Sequence, residues 1–297
     1  MYSMLSKIRH LNLPIALQLD LFDKLVLPVL TYGCEVWGHS NLSPVELFHR
    51  KCLKVLLKIS KFTATPIIHG ETGRYTLETC INSKIIRYWN EMKLSTAWKI
   101  STVMFKFSIK NFDRNTFKTK WLTNIKRILD NSGLPYLWNS EGMNTKRIKS
   151  LITQRMKDSQ IQEWNANLRD NRLCINYRMF KRTYEPEFYL SLTQTYITIL
   201  LVKYRTGSHS LPISDKRYLE IDDRNTCPLC DKDEVGDEYH YIFICPAFDL
   251  HRIQYISPYY RNHPNTLKFH SLFATKDIKK LIKLSKFVKE IMFVFRL

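Results

Sequence analysis

The chain has 297 residues, room for two or three modest domains, and its 44% hydrophobic content with only 8 glycines and 11 prolines excludes low-complexity and collagen-like classes. Its charge stands out: 46 Lys and Arg oppose 27 Asp and Glu, a net +19 that favours a polyanionic partner, nucleic acid first and an acidic membrane surface second. Pro14, Asp20, Asp23, Lys24 and Pro28 interrupt the apolar N-terminal stretch, so no run approaches the ~20 apolar residues of a membrane span, and no secretory signal is expected from the pattern of these residues. An odd number of cysteines with metal-type spacing fits a reducing compartment, so an intracellular protein of nucleus or cytoplasm, with no membrane partner, is expected.

In chain order the pattern predicts helix after helix. A leucine-rich helix is expected from Ala16 to Leu30, followed by a turn at Gly33 and a short aromatic stretch to Trp37. Ser43-Pro44-Val45-Glu46 has the form of a capping box, with Ser at the N-cap and Glu at the third helical position. Behind it Val45, Phe48, Cys52, Val55, Leu56 and Ile59 recur at helical spacing, and Arg50, Lys54, Lys58 and Lys61 line another face. That basic stripe is either a phosphate-binding surface or a solvated helix face. Gly70 to Tyr75 reads as a turn.

Helical periods resume at Ile81, Ile85, Trp89 and Met92, and again from Trp121 to Leu129, stopped by Asn131-Ser132-Gly133 and Pro135. A long helix is expected from Thr145 to about Leu168, and another from Pro186 through Tyr189, Leu192, Tyr196 and Leu200 to Gly207. Ser208 to Thr226 reads as loop or short strand. The last helix, about Lys276 to Phe295, puts apolar residues on one side and Lys276, Lys279, Lys280, Lys283 and Lys286 largely opposite.

The densest chemistry lies near the C-terminus. Cys227, Cys230, His240 and Cys245 are spaced C-x2-C-x9-H-x4-C, while Cys34, Cys52, Cys80 and Cys174 are scattered singly. Two cysteines separated by two residues can aim their sulfurs at one point, and a His and a third Cys complete the closed tetrahedral shell of a structural Zn²⁺ site. Ordinary buried thiols are the plainer alternative, and His209 or His251 could stand in for one ligand. Tyr239 to Phe243 reads as a short strand or first helical turn holding the His.

Catalytic signatures are missing. Asp222-Asp223 is the only Asp pair, set in a polar stretch unlike a polymerase's acidic cluster. There is no phosphate-binding glycine loop, no His-Glu-x-x-His and no nucleophile elbow.

Several stretches taken in order resemble the region beyond the polymerase core of non-LTR (LINE-type) retrotransposon reverse transcriptases. They are the run Leu27 to Gly38, which contains Tyr-Gly-Cys-Glu-Val-Trp-Gly, the basic segment Val45 to Lys54, the Gly70 to Tyr75 segment, Tyr204 to Ile213, and the Cys-Cys-His-Cys set in its Gly236 to Pro246 context. The family tends to carry a Gly before the Arg where this chain has Lys216-Arg217. The resemblance implies a mainly α fold: a multi-helix thumb- and connector-like region, a small zinc-bound α+β unit, and a C-terminal helix. The expected divisions are 1–75, 76–207 and 208–297. The family's endonuclease and catalytic palm would lie upstream of Met1, so the chain itself is not expected to polymerise.

The implied task is holding template RNA and target DNA, with little sequence preference, beside the catalytic part of a reverse transcriptase. Arg50, Lys51, Lys54, Lys58, Arg205, Arg217, Arg252, Lys279, Lys280 and Lys283 are expected on phosphate, and Tyr239 and Tyr241 on unpaired bases. A place in the small hydrophobic core around the metal is an equal alternative for Tyr239 and Tyr241, and Phe243 is expected in that core. The rival readings are a zinc-stapled protein adaptor and a non-catalytic subunit assisting a separate reverse transcriptase chain.

Overall fold

A computed structural model describes residues 2–213 and 226–295, and they are mainly helical. In chain order the helices are α1 (Tyr2–His10), α2 (Ile15–Leu21), α3 (Leu27–Leu30), α4 (Cys34–Trp37), α5 (Ser43–Leu57), α6 (Thr65–Thr72), α7 (Leu77–Leu94), α8 (Ile100–Asp113) and α9 (Lys120–Asn131). They continue with α10 (Thr145–Asp170), α11 (Tyr177–Phe180), α12 (Thr195–Arg205), α13 (Glu238–Phe243), α14 (Asp249–Tyr255), α15 (Pro258–Arg261), α16 (Thr266–Phe273) and α17 (Ile278–Val294). Among the described residues there is no β-strand, and the expected α+β character reduces to one isolated antiparallel bridge between Thr226 and Val235. No described helix is long and apolar enough to cross a membrane.

The chain forms two compact units, each discontinuous in sequence, in place of three consecutive segments. The first gathers Met1–Val26, Arg50–Arg74 and Trp164–Leu297; the second gathers Leu27–His49 and Tyr75–Glu163.

The second unit is built on α7, against which α4, α8 and α9 pack. Ile81, Ile85, Trp89, Leu122, Ile125 and Leu129 recur at helical spacing and are buried together. The Tyr32–Gly38 string becomes α4 and its caps. Gly38 is required by proximity: a Cβ there would stand 2.4 Å from Ile81 Cγ2. Trp121 Nε1 donates to the Glu35 carbonyl at 2.8 Å and Lys84 Nζ to Thr31 Oγ1 at 2.7 Å, fixing α4 in place.

The expected capping box does not form. Asn41 Oδ1 accepts from Ser43 N–H at 2.9 Å, and the Glu46 carboxylate reaches the N–H of Glu78 in the first turn of α7 at 2.7 Å. A carboxylate is favoured at any helix N-terminus, so this acceptor caps the neighbouring helix.

In the first unit α17 packs against α12 and α14, and α11 against α16. Its centre combines aromatic packing with a buried ionic network. Phe180 lies 4.8 Å, centroid to centroid, from both Phe269 and Phe273. Arg205 bonds Glu71 at 2.8 Å and Glu187 at 2.9 Å, while Tyr189 Oη donates to the second Glu71 oxygen at 2.8 Å. Lys181 adds a second cation on Glu187. Burial pushes the Glu71 carboxyl up; on Glu187 burial acts the same way, but Arg205 and Lys181 prevail and hold it below its ordinary value.

The predicted turn at Gly70 begins later. Residues 70 to 72 complete α6, and Gly73, at φ 63°, ends the helix in the left-handed conformation. The helix expected from Pro186 to Gly207 is also interrupted. A short 3-10 turn at Phe188–Ser191 gives way to extended backbone at Leu192, and α12 starts only at Thr195.

Candidate metal centre and basic surfaces

Two short pieces of chain build the metal centre. In the first, Cys227 N–H donates to the Glu234 carbonyl at 2.8 Å, closing the polar loop that carries Cys230. Asp233, at φ 51°, turns that loop back in the left-handed conformation, which Asp tolerates better than most residues. In the second, Asp237 caps α13 by accepting from the N–H of His240 at 2.8 Å. The Cys245 N–H then bonds the His240 carbonyl at 2.8 Å, returning the chain so that Cys245 faces the same point as the imidazole.

The ligand atoms of Cys227, Cys230, His240 and Cys245 all lie within 4.8 Å of one another and could hold a metal ion. Cys227 Sγ and Cys245 Sγ are 3.8 Å apart, and Cys230 Sγ lies 3.5 Å from His240 Nε2. A tetrahedral centre with metal–sulfur bonds of about 2.3 Å and a metal–nitrogen bond of about 2.05 Å would space these pairs about 3.75 Å and about 3.55 Å apart. The sulfurs are far beyond the roughly 2.05 Å of a disulfide, so the donor set fits a metal. His209 and His251 stand outside the cluster, and His209 Nε2 is engaged by Glu238 at 2.9 Å.

The surroundings orient the ligands. Glu234 Oε2 lies 2.9 Å from His240 Nδ1, leaving Nε2 directed at the cluster. Such a carboxylate fixes the tautomer and raises the donor strength of the ring. The N–H of Leu229 donates to Cys227 Sγ at 3.4 Å, holding the sulfur in place. Burial pushes the Cys245 thiol up to about 12 and the His240 imidazole down. The protein therefore presents a neutral imidazole ready to ligate and a thiol whose proton a metal must displace. Glu234 was not singled out in the sequence, where it is one of several acidic residues in a polar loop.

The expected nucleic-acid residues separate into two groups. Lys279, Lys280 and Lys283 are exposed along α17, and so are Lys286 and Lys289. The opposite face of that helix buries Leu281, Leu284, Val288 and Ile291. Lys51 is exposed and Arg50 half-buried on α5. Arg217 and Asp222-Asp223 lie outside the described residues.

Three assignments are corrected by burial. Arg205 is fully buried in the Glu71–Glu187 network and offers no surface to a phosphate. Arg252 donates from Nε to the Ile242 carbonyl and from Nη2 to the Cys245 carbonyl, each at 2.8 Å, so it braces the metal loop from beneath. Tyr241 is buried against Phe248 and Phe295 and cannot stack on a base. Tyr239 is half-buried against Phe243 and Phe269, and Phe243 is in the core.

The stripe on α5 also changes. The helix ends at Leu57, Lys58 turns to φ 57°, and Lys54 Nζ donates to the Lys61 carbonyl at 2.5 Å. Lys54 is thus half-buried as a clasp across the end of its helix. Comparison with family models, curated proteins and solved structures finds no match.

Proposed function

We propose that the chain is a zinc-stabilised nucleic-acid-binding module, the C-terminal region of a non-LTR retrotransposon reverse transcriptase, that positions RNA or DNA and does not itself polymerise. The observation that carries this reading is the one-sided charge of α17. Lys279, Lys280, Lys283, Lys286 and Lys289 are all exposed while the other face is buried in the unit that holds the Cys-Cys-His-Cys cluster. A row of ammonium groups on a packed helix contacts successive phosphates without reading bases, and the net +19 of the chain adds a long-range attraction.

Three thiolates and one imidazole favour Zn²⁺, which takes this set in closed, structural sites with no position left for a substrate. Its role here is to hold the loop and α13 together. Among the described residues this is the one group of three or more metal-ligating side chains close enough to share an ion.

Fluorescence anisotropy of the metal-replete protein with RNA and DNA oligonucleotides over a range of salt tests the reading. Affinity should be high at low salt, nearly independent of sequence, and should fall linearly on a log–log plot. Undetectable or salt-insensitive binding would reject it. Primer extension by the chain alone should stay at background.

One observation favours an adaptor as the second reading. In the second unit Val36, Tyr88, Met92, Met104, Phe105 and Trp121 line an apolar groove of about 350 Å³. Such a groove suits an apolar side chain of a protein partner better than a phosphate.

A further inference from the structure

Phe62 is 79% exposed, yet the turn that carries it is closely tied. The phenylalanine's own N–H donates to Ser60 Oγ at 3.2 Å. Ser60 N–H in turn donates to Ser208 Oγ at 3.1 Å, and Thr63 Oγ1 lies 3.1 Å from the same oxygen. Thr63, the next residue, is buried, and Lys54 Nζ reaches across to the Lys61 carbonyl at 2.5 Å. Four side chains of the first unit, Lys54, Ser60, Thr63 and Ser208, thus fix a turn whose most apolar residue is exposed.

A single exposed phenylalanine is ordinary and carries no argument by itself. Its surroundings supply one. Lys61 Nζ sits 4.9 Å from the ring centroid, and the chain close by in sequence carries Lys58, half-buried just past the end of α5, and Lys51, exposed on that helix. An aromatic face on a pre-ordered turn among cations is the combination that binds unpaired bases: the ring stacks on the base and the ammonium groups take the flanking phosphates. Pre-ordering matters because the turn then loses little conformational freedom on binding. Of the two tyrosines expected to stack, Tyr241 is buried and Tyr239 half-buried, whereas the Phe62 ring is open to solvent.

We propose that Phe62 is a stacking platform for an unpaired nucleobase, with Lys58 and Lys61 on the adjoining phosphates, so that the first unit engages single-stranded RNA or DNA at this turn. The inference rests on the nucleic-acid reading above and adds a strand preference to it.

The test uses the full, metal-replete chain with Phe62→Ala and Phe62→Trp. Each is titrated at fixed salt with an oligo(U) and an oligo(dT) carrying 2-aminopurine, and with a duplex of equal length. Phe62→Ala should weaken single-strand binding by about 5- to 150-fold and abolish the 2-aminopurine response, leaving duplex affinity and the salt slope unchanged. Phe62→Trp should retain or strengthen single-strand binding. Because the ring is exposed, the unfolding curve of Phe62→Ala should overlay that of the unaltered protein.

Single-strand binding by Phe62→Ala equal to that of the unaltered protein overturns the platform and leaves the wider reading standing. No binding by the unaltered protein to any of the three nucleic acids overturns both. Binding to vesicles rich in anionic lipid that depends on Phe62, with single-strand affinity unchanged, reassigns the ring to a bilayer surface and also overturns the proposal.

Discussion

Arg205 Nε lies 2.8 Å from Glu71 Oε1, although 134 residues separate the two in sequence. Both side chains are fully buried, and Glu187 provides the guanidinium with a second carboxylate at 2.9 Å. The pair joins the end of α6 to the end of α12. Its charges also explain why so basic a chain buries an arginine: two carboxylates were already there to receive it.

Removing the cation leaves Glu71 and Glu187 buried without it. Arg205→Met should destabilise the first unit by about 3–5 kcal/mol, the usual cost of stranding one side of a buried ion pair. Urea unfolding followed by circular dichroism measures this. A loss under about 1 kcal/mol would mean that the network relaxes or takes up water.

His270 gives stability a pH dependence. Burial holds its imidazole below the ordinary value, Arg182 and Arg205 push the same way, and the Phe180 carbonyl, 3.0 Å from Nδ1, opposes them. The unfolded chain takes up this proton near pH 6.5, the folded chain only at lower pH. Between the two the unfolded state binds more protons, so the contribution is complete above about pH 6.5 and is lost as pH falls toward the folded value. Urea midpoints should drop between pH 7.5 and 5.5, and His270→Asn should shrink the drop. An equal drop in that variant would place the effect on other groups.

The metal centre should bind one Zn²⁺ per chain. Cys230→Ser should abolish stoichiometric binding and loosen the segment from Cys227 to Cys245 while leaving the second unit folded, because metal binding and folding of such loops are coupled. Glu234→Ala should keep the stoichiometry but weaken affinity by about 10- to 100-fold, the usual effect of losing a carboxylate behind a ligating His. Elemental analysis and competition with a chromophoric chelator read the two effects separately. Unchanged affinity in Glu234→Ala would show that the carboxylate does not orient the ring.

Replacing Lys279, Lys280 and Lys283 together by Ala should flatten the salt dependence of duplex binding by about two to three units, since each phosphate contact contributes a slope of about 0.9. Arg205 and Arg252 contribute none of this slope because they are buried. An unchanged slope would make α17 a solvated face.

What the sequence disclosed depended on how local the cause was. The helices at Leu77–Leu94, Lys120–Asn131 and Thr145–Asp170 were legible because their apolar periods and stop signals lie within themselves. The four cysteine and histidine positions were legible for the same reason. Helix α8 was not, because it is apolar on more than one face: Phe105 and Phe112 are buried while Met104 and Phe107 are exposed. Glu46 looked like a cap for its own helix until α7 offered it a second N-terminus. Arg205 and Arg252 read as cations among many, since nothing near them in sequence announces the carboxylates and carbonyls that hold them.

The four-residue cluster has a consequence for how the chain closes on itself. Every candidate ligand, and the carboxylate that orients the imidazole, falls within a span whose ends are 18 residues apart. Closing so short a segment costs little chain entropy, whereas Glu71 and Arg205 meet across 134 residues. A chelator that emptied the cluster would then release a short local loop, and the long closure between α6 and α12 would stay intact.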